Sequence, residues 1–208
     1  FSLTAKGWAV VRELGIETPA RWRSSEAAQR GFLAYAHDLA VADLRIEGRG
    51  EVTQRDLVED LLTVGRLETG RMQLNLVPVR LDDTITDAVS NASRLAKARQ
   101  IQVSCHLPDA LPTVRADASA MQRVLANLLE NAVKFTPAGG AVRVVLDVDD
   151  EGLDIGVSDN GIGIPPEDLP QLFQRFFRAS NAVRAEIQGT GVGLHIVHSI
   201  VEGHGGRV

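Results

Sequence analysis

The segment 117–163 constrains the fold more than any other part of the chain. Asp117 precedes a run in which Met121, Val124, Leu125, Leu128 and Leu129 recur at helical spacing, so the pattern predicts a long amphipathic helix opened by Asp117. Residues 137–140, Pro-Ala-Gly-Gly, end it. Two β-rich runs come next, 142–148 and 153–157, separated by a polar turn over 149–152, which reads as a hairpin. A further helix capped by Asp82 and Asp83 is predicted to run to about Arg99, followed by a strand over 101–107, and a last helix over 194–202. Helices interleaved with strands, at least two of which are joined by a hairpin, predict an α+β domain. Its architecture is a helix layer on a mixed, largely antiparallel sheet, and a doubly wound parallel sheet is excluded.

The chain upstream has a different character. Residues 1–23 hold one short helical pattern, Trp8, Val11 and Leu14, of unknown role. Over 24–70, Phe32, Tyr35, Leu39 and Ala42 mark one amphipathic helix, and Val52, Leu57, Leu61, Val64 and Leu67 mark a second beyond the turn at 47–50. Such a helical hairpin can bury its stripes only against another element or another copy of itself, so a homodimer through 32–67 is expected. With 44% hydrophobic residues in 208, the chain has material for a real core, and disordered or fibrous classes are excluded. A formal charge of −5 gives no general basic field, so nucleic acid is not an expected partner. The single Cys105 excludes an intramolecular disulfide, and no apolar run reaches membrane-spanning length. The fragment therefore reads as cytoplasmic. The full protein is expected to extend at both ends, with a C-terminal strand cut off after 208 and any membrane anchor outside this window.

Three polar constellations carry chemistry. Asp159-Asn160-Gly161-Ile162-Gly163 follows the second hairpin strand; its glycines allow a sharp turn and close approach to a ligand, and the carboxylate can accept from an exocyclic amino group. Gly189-Thr190-Gly191-Val192-Gly193 opens the last helix, where backbone N–H groups and the helix N-terminus suit phosphate. Asn127, Asn131 and Lys134 lie at i, i+4 and i+7 on one face of the long helix. A solvated face would explain these three alone; beside the glycine loops, an amide oxygen for a divalent cation and an ammonium for phosphate explain them better.

The run 127–137, Asn-Leu-Leu-Glu-Asn-Ala-Val-Lys-Phe-Thr-Pro, resembles the N box of bacterial sensor histidine kinases, and 159–163 resembles their G1 box. Phe173-Gln174-Arg175-Phe176-Phe177-Arg178 is similar to the F box, Gly189 to Leu194 to the G2 box, and 57–70 to the end of the second dimerisation helix. The resemblance covers about three quarters of the chain. It implies a Bergerat-type ATP-binding α/β sandwich over 71–208, preceded by a dimerisation and phosphoacceptor hairpin over 24–70. It also implies roles: Asp159 on the adenine amino group, Asn131 on Mg²⁺, Lys134 on phosphate, and Gly161, Gly163, Phe173, Gly189, Thr190, Gly191, Gly193 and Leu194 around ATP. Asn127 occupies the place of a water-activating Glu in related ATP-hydrolysing enzymes, and Glu130 is a candidate support for Asn131. Residues 179–188, with no strong periodic core face, would be the lid. The implied activity is autophosphorylation of a histidine and relay to an aspartate on a response-regulator receiver.

The acceptor motif departs from the pattern. Only His37-Asp38-Leu39 agree with it, and nineteen residues separate His37 from Leu57, fewer than half the usual number. Three accounts stay open: His37 is phosphorylated in a shortened hairpin with Asp38 fixing its tautomer, the true acceptor is missing from the sequence near 48–51, or His37 is an ordinary helix histidine. Two other functional readings share the fold: a regulatory ATP-binding module without kinase activity, and an anti-sigma-type Ser/Thr kinase. His106, His195, His198 and His204 show no metal-ligand spacing, and surface or structural roles are expected for them.

Overall fold

A computed structural model describes residues 73–108, 111–148 and 152–208. The chain divides into two compact units, Phe1–Gln73 and Leu74–Val208. The predicted helical hairpin, His37 and Asp38 lie outside the described residues, as does the helical pattern over 1–23.

Within the second unit the order is β1 (Val77–Val79), α1 (Asp82–Ala98), β2 (Gln102–His106), β3 (Val114–Ala116), α2 (Ala118–Phe135), β4 (Ala141–Val148), β5 (Leu153–Asp159), a 3-10 turn (Leu169–Gln171), α3 (Ser180–Arg184) and α4 (Gly193–Gly203). β4 is central: it pairs parallel with β2 and antiparallel with β5, Val144 facing Cys105 on one side and Val157 on the other. β1 and β3 form a separate antiparallel pair. The sheet is mixed, as its hairpin and intervening helix require.

One face of the sheet is apolar because the strands alternate. Val142, Val144 and Leu146 of β4 are buried while Ala141 and Arg143 are exposed, and Leu153, Ile155 and Val157 of β5 repeat the pattern in half-buried form. Against this face pack Ile85, Ala88, Ala92 and Ala96 of α1 and Leu125, Leu129, Ala132 and Val133 of α2. Each large aliphatic side chain so buried contributes about 1.5–3 kcal/mol. The alanines of α1 keep it close to its neighbours. α4 adds Ile196, Val197 and Ile200 to the interior and packs on α2. This packing holds the polar face of α2 beside the N-terminus of α4.

The helix ends explain themselves locally. Asp117 caps α2, its Oδ1 accepting from the N–H groups of Ser119 and Ala120 at 3.0 and 3.1 Å. α1 departs from expectation: Asp82 and Asp83 lie inside its first turn, Leu81 is the capping residue with no side-chain bond, and Asp82 pairs with Arg80 at 2.9 Å. The α1 C-terminus closes by the N–H of Ile101 on Ala96 O and that of Gln100 on Lys97 O, with Gln100 at φ 58. α4 closes in the same way, with Gly205 at φ 80 in the equivalent place.

Candidate functional site

Three N-box side chains stand on the half-buried face of α2, opposite its core residues. The Asn127 amide donates to Arg123 O at 2.9 Å, one turn back, and its Oδ1 faces the start of α4: a Cβ on Gly193 would lie 2.6 Å from that oxygen. Lys134, one residue before the end of α2, reaches the second glycine loop, where a Cβ on Gly189 would lie 2.5 Å from its Nζ. Asn131, half-buried between them, completes the face.

The first glycine loop meets the same helix end. Phe135 O accepts from Ile162 N at 3.2 Å, and a Cβ on Gly161 would lie 2.5 Å from that carbonyl oxygen. Asp159 is the last residue of β5 and exposed; its Oδ1 accepts from Gly161 N at 2.9 Å. Asn160 anchors the loop to β4, accepting from Ala141 N at 2.8 Å and donating its own N–H to Ala141 O at 3.2 Å. Gly163, at φ 64, turns the chain out toward Pro165.

The second loop sits against the F box. A Cβ on Gly191 would lie 2.6 Å from the carbonyl carbon of Phe176 and 2.7 Å from Phe177 O, and Gly191 has φ 71. Thr190 Oγ1 accepts from Val192 N at 3.4 Å, and Leu194 is half-buried in the first turn of α4. Phe173 touches α4 through His195 and His198. Each glycine of the second loop thus abuts an N-box or F-box residue, so four segments scattered over 127–194 meet in one place.

The expected lid region contains more structure than its composition predicts: α3 buries Ala182 and is tied down by polar contacts. Asp168, 8% exposed, accepts from Ser180 N at 2.7 Å, and Asn181 Nδ2 donates to Gly163 O at 2.9 Å and Ile162 O at 3.2 Å. Arg178 donates to Ile187 O across the same segment. Sequence reasoning missed these, and it missed Arg99, whose guanidinium donates to Val133 O at 2.6 Å and Lys134 O at 3.0 Å, capping the helix that carries the N box. An Arg at the end of α1 carries no local sign of a partner over thirty positions away; only the orphan carbonyls expected at any helix C-terminus hint at one.

The electrostatics favour an anion. Burial holds the Lys134 ammonium below its ordinary pKa, the nearby Arg178 acts in the same direction, and Glu130 opposes it. A phosphate group here would relieve that cost. Among the described residues no group of three or more His, Cys, Asp or Glu could hold a metal ion. The oxygen-seeking Mg²⁺ fits a site of this kind, where Asn131 would supply an amide oxygen and phosphate oxygens and water the rest. No helix among the described residues is long and apolar enough to cross a membrane.

Residues 116–208 match the family described as Histidine kinase-, DNA gyrase B-, and HSP90-like ATPase. The chain is 39% identical over 171 residues to hybrid signal transduction histidine kinase D of Dictyostelium discoideum, a match covering 80% of this chain and 11% of that protein. It spans, therefore, about a tenth of that relative's length. Among solved structures, the mycobacterial sensor histidine kinase MprB is 32% identical with a TM-score of 0.52, covering 62% of this chain and 80% of that one. Full-length ShkA in complex with AMPPNP shares the fold at 22% identity, with a TM-score of 0.59 over 90% of this chain and 35% of that one.

Proposed function

This chain belongs to the sensor histidine kinase family through its ATPase-like catalytic domain, and we propose that it binds Mg·ATP and transfers the γ-phosphoryl group to a histidine. The observation that carries the reading is the convergence of Lys134 on Gly189, Asn127 on Gly193 and Phe135 O on Gly161. Two of the contacts join the polar face of α2 to the second glycine loop and the third joins the end of α2 to the first, and the resulting cradle offers backbone N–H groups and a helix N-terminus for phosphate.

The residues divide the work. Asp159, whose Oδ1 accepts from Gly161 N, would accept from the adenine amino group with its second carboxylate oxygen. Lys134 supplies an ammonium already disfavoured by burial and by Arg178. Asn131 would hold Mg²⁺ through its amide oxygen, and the cation would supply neutralisation of the phosphate charge. Asn127 is an amide whose N–H is committed to Arg123 O, and an amide cannot take a proton from water. The site therefore keeps ATP intact until an imidazole nitrogen displaces the β,γ-bridging oxygen: one N–P bond forms, one O–P bond breaks, and ADP leaves. The acceptor is proposed to be His37, with Asp38 accepting its ring proton, in a homodimer formed through 24–70; relay to a receiver aspartate follows. Those residues lie outside the described ones, and their assignment rests on the partial motif alone.

The test is incubation with γ-radiolabelled ATP followed by acid and alkali. An acid-labile, alkali-stable label supports phosphohistidine; an acid-stable, alkali-labile label supports a Ser/Thr kinase; no label supports a regulatory module. Labelling that survives in His37→Gln moves the acceptor elsewhere. Addition of receiver domains should drain the label from the chain.

A further inference from the structure

We propose that His195 is a positioning residue for the F box, its Nδ1–H holding the carbonyl of Phe173 and thereby fixing 173–177, the segment that leads into the expected lid. The inference rests on the reading of the four motifs as one ATP site. Nδ1 of His195 lies 3.1 Å from Phe173 O, and since a carbonyl only accepts, Nδ1 is the protonated nitrogen. Burial lowers the pKa of this ring, and the Phe173 carbonyl opposes that shift while Arg175 and His198 add to it. His195 is therefore neutral near pH 7 and held in one tautomer.

Two further features converge on the same segment. Three residues along α4, the His198 ring lies 5.2 Å from the Phe173 ring at a tilt of 34°. From the other side, the F-box backbone at Phe176 and Phe177 fills the space beside Gly191 where a side chain would stand. Between these holds, Phe176 sits at φ 62, a left-handed conformation that a bulky residue keeps only where its surroundings over-determine it. The glycine loop and the helix it opens thus clamp 173–177 from both sides. The chain leaves the clamp at Arg178, which donates to Ile187 O at the far end of the lid and acts electrostatically on Lys134. The motifs assign no role to position 195; its place next to Leu194 on α4 and its bond to Phe173 O do.

Side-chain geometry supplies the test. An Asn amide nitrogen occupies nearly the position of the imidazole Nδ1, whereas Gln carries its amide one methylene further out. In the 208-residue chain, His195→Gln and His195→Ala should weaken binding of a non-hydrolysable ATP analogue with Mg²⁺ about tenfold, the scale of one lost hydrogen bond. They should also speed amide exchange in 173–188 without changing that of α2. His195→Asn should stay within about twofold of the wild type in both. Equal behaviour of the Asn and Gln variants overturns the proposal, as does wild-type exchange in all three. If the Ala variant does not fold, the Asn and Gln pair decides. If the wild-type chain fails to bind the analogue, the ATP-site reading falls, and exchange in the ligand-free variants still decides the role of His195.

Discussion

Gly191→Ala probes the packing of the second glycine loop on the F box. Two costs arise in different ways. At φ 71 any L side chain pays for a left-handed backbone, about 1–2 kcal/mol. The new Cβ would also lie 2.6 Å from the Phe176 carbonyl carbon and 2.7 Å from Phe177 O, backbone atoms that cannot rotate away, which adds about 1–3 kcal/mol of overpacking. The total, about 2–5 kcal/mol, is a large part of a typical domain's stability. Gly139 supplies the control, for it has φ 83 and nothing within 4 Å of a Cβ, so Gly139→Ala should lose only the first term. Urea unfolding of both variants, with titration of an ATP analogue, separates the two costs: the excess in Gly191→Ala appears as lost stability, or as lost affinity if the loop yields alone. Equal losses of stability in both variants, with wild-type affinity in both, refute the close packing of this loop on the F box.

Three further outcomes follow from other parts of the molecule. Asp159→Asn places an amide donor against the adenine amino group and should weaken ATP binding by about 1.5–3 kcal/mol by calorimetry; unchanged affinity removes Asp159 from the site. Gln100→Gly should raise stability to urea by about 0.5–1 kcal/mol, because Gln100 holds at φ 58 the place that Gly205 fills at φ 80 in the matching cap of α4; a lower unfolding midpoint contradicts it. Bonds from Ser119, Asn75 and Ala120 lower the Asp117 carboxyl from 3.8 to about 2, so its contribution is fully present above 3.8 and is lost as pH falls toward 2. Asp117→Asn should flatten the acid limb of the stability curve in that window, and a limb as steep as the wild type's contradicts it.

Much of this was legible in the sequence because it is local or periodic. Asp117 precedes an apolar helix it then caps, and the hairpin declares itself by two alternating runs about a polar turn. Asn127, Asn131 and Lys134 share a helix face by spacing alone. What escaped depends on pairings between distant positions. β3 has three residues, too short for any period, and exists because its Ala116 meets Val77 of β1. Arg99 on Lys134 O, Asp168 on Ser180 N and His195 on Phe173 O each join residues with no shared pattern. Asp82 looked like a cap, but Arg80 two residues before it offered a competing partner. Asn160, adjacent to Asp159 in the same motif, turned out to hold the loop to β4.

Calorimetric titration of a non-hydrolysable ATP analogue into the full chain decides whether the N box and the two glycine loops form one Mg·ATP site. Such a site requires one binding event per chain, affinity that falls when Mg²⁺ is chelated, and binding at least about tenfold weaker in Asn131→Ala, whose residual affinity no longer responds to Mg²⁺. Absence of binding by the wild-type chain, or an Asn131→Ala variant with wild-type affinity and Mg²⁺ response, would contradict it.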